Sequence, residues 1–202
     1  MILTIIIITF IVSWLGFNDP VFMARYQFNA YRIIRNREWH RLLTHGFLHA
    51  NWLHLLINML VLFSFGEFLV SIFASVFLFM NPKLLFLLFY LLAIAFSSLN
   101  SLRKHKSNYY YNAVGASGGV SAVVFASIFF VPYQKILFFG IIPIPGILFA
   151  IAYLAYSYYM DKQGNDNIGH DVHFHGAVFG FLFPLILRPE LLLYFIQQLL
   201  NP

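Results

Sequence analysis

Long apolar runs alternate with short polar stretches along this chain, and the runs have the length of membrane crossings. Met1 to Phe17 is apolar from its second residue, with no basic segment ahead of it and no small-residue cleavage site, so it predicts a retained first span. A mixed segment follows from Asn18 to Ala50, with five arginines and three histidines; it predicts a long connection with structure of its own. The second run goes from Asn51 to about Phe79 and closes at the turn signal Asn81-Pro82-Lys83. It is longer than a crossing needs, which predicts tilt or an interfacial extension. The third covers Leu84 to Leu99 and gives way to a polar loop, Asn100 to Asn112. The fourth covers Ala113 to Val131 and stops at Pro132; the fifth lies within Ile136 to Met160, where Pro143, Pro145 and Gly146 predict an irregular start. After a polar loop from Asp161 to Asp171, a sixth runs from Val172 to Leu187 and ends at Arg188-Pro189. About 20 apolar residues cross a bilayer, so the pattern predicts six helices, and the tail to Pro202 is too short for a seventh. No internal repeat is visible.

Composition agrees with the pattern. The chain has 202 residues, of which 61% are hydrophobic and 9% charged. Soluble domains carry about 25% charged residues. The fold class expected is all-α, a polytopic membrane protein forming one domain over residues 1–202. Disorder and a disulfide-rich secreted fold are excluded. The net charge of +5 reads as loop charge beside lipid headgroups, so the expected surroundings are a bilayer and no nucleic acid partner. There is no cysteine, hence no disulfide, thiol nucleophile or thiolate metal ligand.

With six crossings, spans two, four and six start from one side of the membrane, and the polar residues within apolar runs lie near those starts. Span two carries His54 and Asn58, stacked four apart on one helical face. Span four opens with Gly115-Ala116-Ser117-Gly118-Gly119, and span six with His173, followed on its own face by Gly176 and Gly180. Each has a structural explanation alone. A serine in a membrane helix bonds back to its own backbone, histidine and asparagine glue helices together, and glycines let helices pack closely. Together they supply more. Ser117 lies roughly 6 Å inside span four at a rise of about 1.5 Å per residue, and His173 starts span six on the same side. A hydroxyl nucleophile needs a base, and imidazole suits that role near neutral pH. His54, Asn58 and backbone N–H groups at a helix start offer donors to a developing oxyanion. Asp171 is two residues from His173, on another face, so the constellation predicts a Ser–His dyad without a carboxylate.

These residues resemble the rhomboid family of intramembrane serine proteases, and the likeness covers nearly the whole chain. It is carried by Arg41 to Asn58 (RLLTHGFLHANWLHLLIN), by Gly115-Ala116-Ser117-Gly118, and by His173-Phe174-His175-Gly176 with Gly180 after it. The resemblance implies a six-transmembrane-helix bundle with a membrane-embedded loop between helices 1 and 2, here Asn18 to Ala50. It implies Ser117 as nucleophile, His173 as base, and His54 with Asn58 assisting the oxyanion. The expected activity is endopeptidase cleavage in or near transmembrane segments of membrane-protein substrates, with no metal or cofactor. Substrate access is expected laterally, between spans two and five.

Three positions depart from the family pattern. Four residues after the nucleophile the family usually has an aromatic supporting the histidine ring; here it is Ser121, with Phe174 or Phe125 as expected substitutes. Trp39 is displaced by one from its usual place before the loop arginine, and residue 172 is Val where a small residue is frequent. None removes a catalytic group.

On the Ser117 side the loops hold nine basic residues, against Lys83, Lys135 and Arg188 on the other. The positive-inside rule would turn that face to the cytoplasm. The resemblance implies the opposite, an integral protein of the cell (inner) membrane whose site opens to the extracytoplasmic side, and this is the orientation expected here.

Two other function classes compete. A histidine-box metal-dependent membrane oxidoreductase would use His45, His49, His170, His173 and His175 as ligands, leaving His54, Asn58 and the Ser117 glycines unexplained. A non-catalytic transporter or chaperone would need the hydroxyl and the imidazole as helix glue.

Overall fold

The computed structural model describes residues 1–138, 140–164 and 168–201. The chain is mostly helical, and side-chain caps set most of its early boundaries. Helix α1 (Ile2–Asn18) ends at Asp19, whose carboxylate accepts the Val21 and Phe22 N–H groups and starts α2 (Pro20–Tyr26), with Pro20 in the first turn. Asn29 caps α3 (Ala30–Arg35) through the Arg32 N–H. The short α4 (Arg41–Thr44) and a 3-10 turn, His45–Phe47, lead to α5 (Trp52–Val76). Asn81 caps α6 (Pro82–Ser97), which continues almost directly into α7 (Leu99–His105). Helix thus occupies the first part of the expected polar loop at Asn100 to Asn112.

Next comes α8 (Ser117–Phe130). The irregular start expected for the fifth span proves to be a β-hairpin. Strands β1 (Lys135–Phe138) and β2 (Ile142–Pro145) pair antiparallel, with Lys135 opposite Pro145 and Phe138 opposite Ile142. Pro143 and Pro145 have no N–H to donate, which suits β2 to an edge. Helix α9 (Gly146–Gln163) stops at Gly164, whose φ of +60° is the left-handed turn that ends many helices. The polar loop predicted from Asp161 includes residues 165–167, which lie outside the described residues. The chain closes with α10 (His170–Leu187) and α11 (Leu191–Leu200).

Three helical stretches among the described residues are long and apolar enough to cross a membrane: Trp52–Val76, Pro82–His105 and His170–Leu187. Helices α1 and α8 are apolar but shorter. Large apolar side chains point outward, among them Leu3, Ile7 and Ile11 on α1 and Leu53, Leu56 and Leu60 on α5. In water such a surface would aggregate; in lipid it faces its solvent.

Helix α8 is the core of the bundle. Every residue from Gly118 to Phe130 is buried, so the helix needs no polar stripe. Its contact with α10 is backbone against backbone. A Cβ on Gly176 would fall 2.2 Å from the Gly118 carbonyl oxygen, and one on Gly180 would fall 2.1 Å from that of Ala122. The two contacts advance together along both helices, so α8 and α10 run parallel, with small residues allowing the approach.

The segment before α5 is held by a buried cation. Arg41 Nε donates to Glu38 at 2.5 Å, and its Nη1 donates to the carbonyls of Ala24 (2.9 Å) and Gln27 (2.7 Å). Burial raises the Glu38 carboxyl, but the hydrogen bonds from Arg41 and Asn36 and the charges of Arg41 and Arg32 outweigh it, so its pKa ends below the usual value. A lowered carboxylate stabilises the folded state at neutral pH, and that contribution is lost as pH falls through the folded value. Glu38→Gln is therefore expected to cost about 1–2 kcal/mol at pH 7. The gap from the parent should narrow as pH falls below the ordinary glutamate value of about 4.3, as read by detergent-solubilised unfolding across pH.

Candidate active site

Three segments distant in sequence meet where α8 begins. The stretch leading into Ser117 is pinned from the side of the connection before α5. Phe28 and Ala113 exchange backbone hydrogen bonds of 2.9 and 3.1 Å, and Gly115 N–H donates to the His45 carbonyl at 3.0 Å. Asn29 Nδ2 donates to the Tyr109 carbonyl at 2.8 Å and to Asn112 at 3.0 Å.

His49 completes the cradle, and its tautomer follows from its partners. The Ala116 N–H donates to His49 Nε2 at 3.4 Å, so that nitrogen is an acceptor and the proton sits on Nδ1. Nδ1–H then donates to Ser13 Oγ at 2.9 Å, and the serine passes its own hydrogen to the Phe47 carbonyl at 2.9 Å. A fully buried neutral imidazole thus joins α1, the turn and the residue before Ser117. In the sequence His49 stands out only as a candidate ligand of a histidine-box centre. Its identity as a backbone anchor depends on Ser13 and Ala116, which no local pattern links to it.

His54 lies in the first turn of α5 because Asn51 caps that helix, accepting the His54 N–H at 2.9 Å. The His54 ring packs edge-on against His49, with centroids 4.9 Å apart. Asn58, one turn on and buried, donates one amide hydrogen back to the His54 carbonyl at 2.8 Å, which leaves its second amide hydrogen for another acceptor. Gly115 locates His54 relative to Ser117. A Cβ on Gly115 would fall 2.7 Å from His54 Cε1 and 3.7 Å from Ser117 Oγ, so the ring and the hydroxyl border one small space.

Ser117 is the first residue of α8, half-buried, with its N–H and those of Gly118 and Gly119 preceding the first helical bond, Val120 N–H to the Ala116 carbonyl. Such N–H groups have no partner within the helix. His173, also half-buried, lies in the first turn of α10, three residues before the Gly176 that touches Gly118. The two candidate catalytic residues therefore occupy the first turns of adjacent parallel helices. Among the described residues Ser117 makes no side-chain hydrogen bond, so the Ser117–His173 bond of a closed dyad is not formed in this structure. Asp171 points elsewhere: its carboxylate accepts the Ser101 hydroxyl and, at 3.5 Å, the Asn100 amide.

Phe174 and Phe125, the expected substitutes, pack elsewhere. Phe174 packs on Tyr158, and Phe125 on Tyr153. The ring stacked beside His173 is Tyr153 of α9, with centroids 6.3 Å apart and planes 27° from parallel. Its hydroxyl meets Ser121 Oγ at 2.6 Å.

A family model described as Rhomboid domain matches residues 36–190, which leaves out α1, α2, α3, the strip Gln27–Asn29 and α11. The chain belongs to the rhomboid family. A relative from Arabidopsis thaliana, "RHOMBOID-like protein 12, mitochondrial", is 27% identical over 173 residues, covering 82% of this chain. The chain spans 51% of that relative's length. Rhomboid membership and the outward apolar surface together make this an integral membrane protein.

In this rhomboid chain Gly115 cannot carry a side chain without harm. Its φ of +135° disfavours any L side chain, and a methyl would drive into His54 and toward Ser117. Gly115→Ala is expected to displace His54 or Ser117 by about an ångström, so that any activity using this site would fall at least ~10²-fold. Thermal unfolding should move far less than activity, and the pair of measurements on one preparation checks it.

Proposed function

We propose that this rhomboid is an intramembrane serine endopeptidase acting on transmembrane protein substrates through a Ser117–His173 dyad. The observation that carries the reading is the meeting of the three motif segments at one point: Gly115 and Ser117 against His54, with His173 on the helix fused backbone-to-backbone to the serine helix. In this reading α1, α5, α6, α8, α9 and α10 are the six spans of one membrane domain covering residues 1–202. The connection between α1 and α5 is a membrane-embedded loop. The site opens to the extracytoplasmic side of the cell membrane.

Ser117 Oγ attacks the scissile carbonyl carbon while His173 takes the hydroxyl proton. The carbonyl oxygen, now an anion, is received by His54, the second amide hydrogen of Asn58, and the N–H groups at the start of α8. Collapse expels the amine, which takes the proton from His173, and leaves an acyl-enzyme on Ser117. Water activated by His173 then frees the new carboxylate. The chemistry needs no metal or cofactor. A histidine-box centre has less support: both ring nitrogens of His49 are engaged by Ala116 and Ser13, and among the described residues no three His, Asp or Glu side chains gather as a ligand set.

The test is a fluorophosphonate probe on purified protein in detergent, with the modified peptide located by mass and the metal content measured on the same sample. Modification at Ser117 is the expected result. An unlabelled chain with stoichiometric iron or zinc would favour the oxidoreductase, and an unlabelled chain without metal would favour a transporter or chaperone.

A further inference from the structure

Tyr153 stands at the junction of three helices and has no role in the chemistry above. It belongs to α9, yet its hydroxyl is bonded to Ser121 of α8, one turn below Ser117, and its ring lies along the imidazole of α10's His173. The other sides of the ring are filled. Phe149, one turn earlier on α9, stacks on it at 5.6 Å and 28°, and Phe125 of α8 packs at 5.5 Å. A tyrosine has only two side-chain torsions. With two phenylalanines packed around the ring and a hydrogen bond at its tip, neither torsion is free, so the ring presents a fixed face to His173.

That face matters because the base changes charge. In the neutral state an imidazole against a ring has its orientation restricted by packing. Once it has taken the serine proton it is a cation beside a π-surface, an attraction stronger in a dehydrated site than in water. Ser121 is what makes the arrangement possible. Its small side chain leaves room for Tyr153 to reach across from α9, and its hydroxyl gives the phenol a partner it would otherwise lack when buried.

We propose that Tyr153 is a positioning residue for His173, holding the base by its ring and being held itself by Ser121. The inference rests on the proteolytic reading above. Removing the ring should slow the step that uses the base and leave substrate binding alone, whereas removing the hydroxyl should only loosen the clamp.

The experiment compares the parent chain with Tyr153→Phe and Tyr153→Leu. It reads kcat and KM on a transmembrane reporter, the second-order rate of fluorophosphonate labelling at Ser117, and thermal unfolding in the same detergent. Tyr153→Leu is expected to lower kcat and the labelling rate by roughly 10²-fold with KM within about twofold, as for loss of a transition-state interaction. Tyr153→Phe should stay within about fivefold of the parent on both rates. Should Tyr153→Leu fail to fold, Tyr153→Met, which fills the space without a ring, is read by the same measures. A parent labelled at Ser117 together with a ringless variant labelled at the parental rate overturns the inference alone. So does a loss in Tyr153→Phe as deep as in the ringless variant, or a kcat loss that merely follows the unfolding temperature. A parent that is not labelled at Ser117 overturns the proteolytic reading, and this inference with it.

Discussion

Replacing Ser117 with alanine is expected to abolish cleavage and probe labelling while leaving the chain folded. Magnitudes separate this outcome from the structural alternative. A hydroxyl that only glues membrane helices contributes about 0.6 kcal/mol on average, so its loss would shift stability slightly and nothing else. A nucleophile has no substitute. His173→Ala is expected to reduce turnover on the order of 10⁴-fold or more, because a neutral hydroxyl without a base barely attacks an amide. Combining the two substitutions should do no further damage than Ser117→Ala alone, since the members of a catalytic dyad act as one unit. Cleavage of a transmembrane reporter, measured beside thermal unfolding for the single and double variants, gives all four corners of this cycle. Activity surviving in Ser117→Ala would break the dyad assignment whatever the stability does.

The mostly helical fold and its long apolar helices were legible in the sequence, because hydropathy is a local property; the short helices α2, α3, α4, α7 and α11 were not. The start of α5 at Trp52 and of α6 at Pro82 follow from an asparagine before each. What escaped reading depends on partners far away in the chain. Residues 135–145 look like a broken helix start, because two prolines signal irregularity without saying that β1 will pair with β2. His49 reads as a candidate histidine-box ligand until Ser13 and Ala116 close on its two nitrogens. Tyr153 reads as one more aromatic in a Phe- and Tyr-rich span; only the stacking across α9 and α10 gives it a neighbour worth having. The glycines fall between these cases. Gly176 and Gly180 were recognisable as a packing face, but that they meet the carbonyls of Gly118 and Ala122 is a property of the assembled pair.

That pairing sets the second large effect. Gly176→Ala is expected to destabilise the chain by about 3 kcal/mol or more, at or above the upper end of ordinary overpacking. The reason is what the added methyl would meet. Where a new Cβ lands on the tip of a flexible side chain, the side chain moves aside; here it lands 2.2 Å from the Gly118 carbonyl oxygen, with the carbonyl carbon at 2.8 Å and the Cα at 2.9 Å, all of them main chain in a buried helix. Relief requires α8 and α10 to separate, and α8 is enclosed by α5 and α6 on its other sides. Gly164→Ala is the matching control. Its φ of +60° carries the backbone penalty of a left-handed position, roughly 1 kcal/mol, but among the described residues nothing lies within 4 Å of the new methyl. Unfolding curves in one detergent should therefore rank Gly176→Ala well below Gly164→Ala, with the parent highest. Labelling of Ser117 should fall in Gly176→Ala even at temperatures where the protein remains folded, because Ser117 and His173 lie in the first turns on either side of the forced contact. A Gly176→Ala chain that unfolds and labels like the parent would mean that the two helices do not touch there, and the proposed dyad would lose the contact that brings its two helices together.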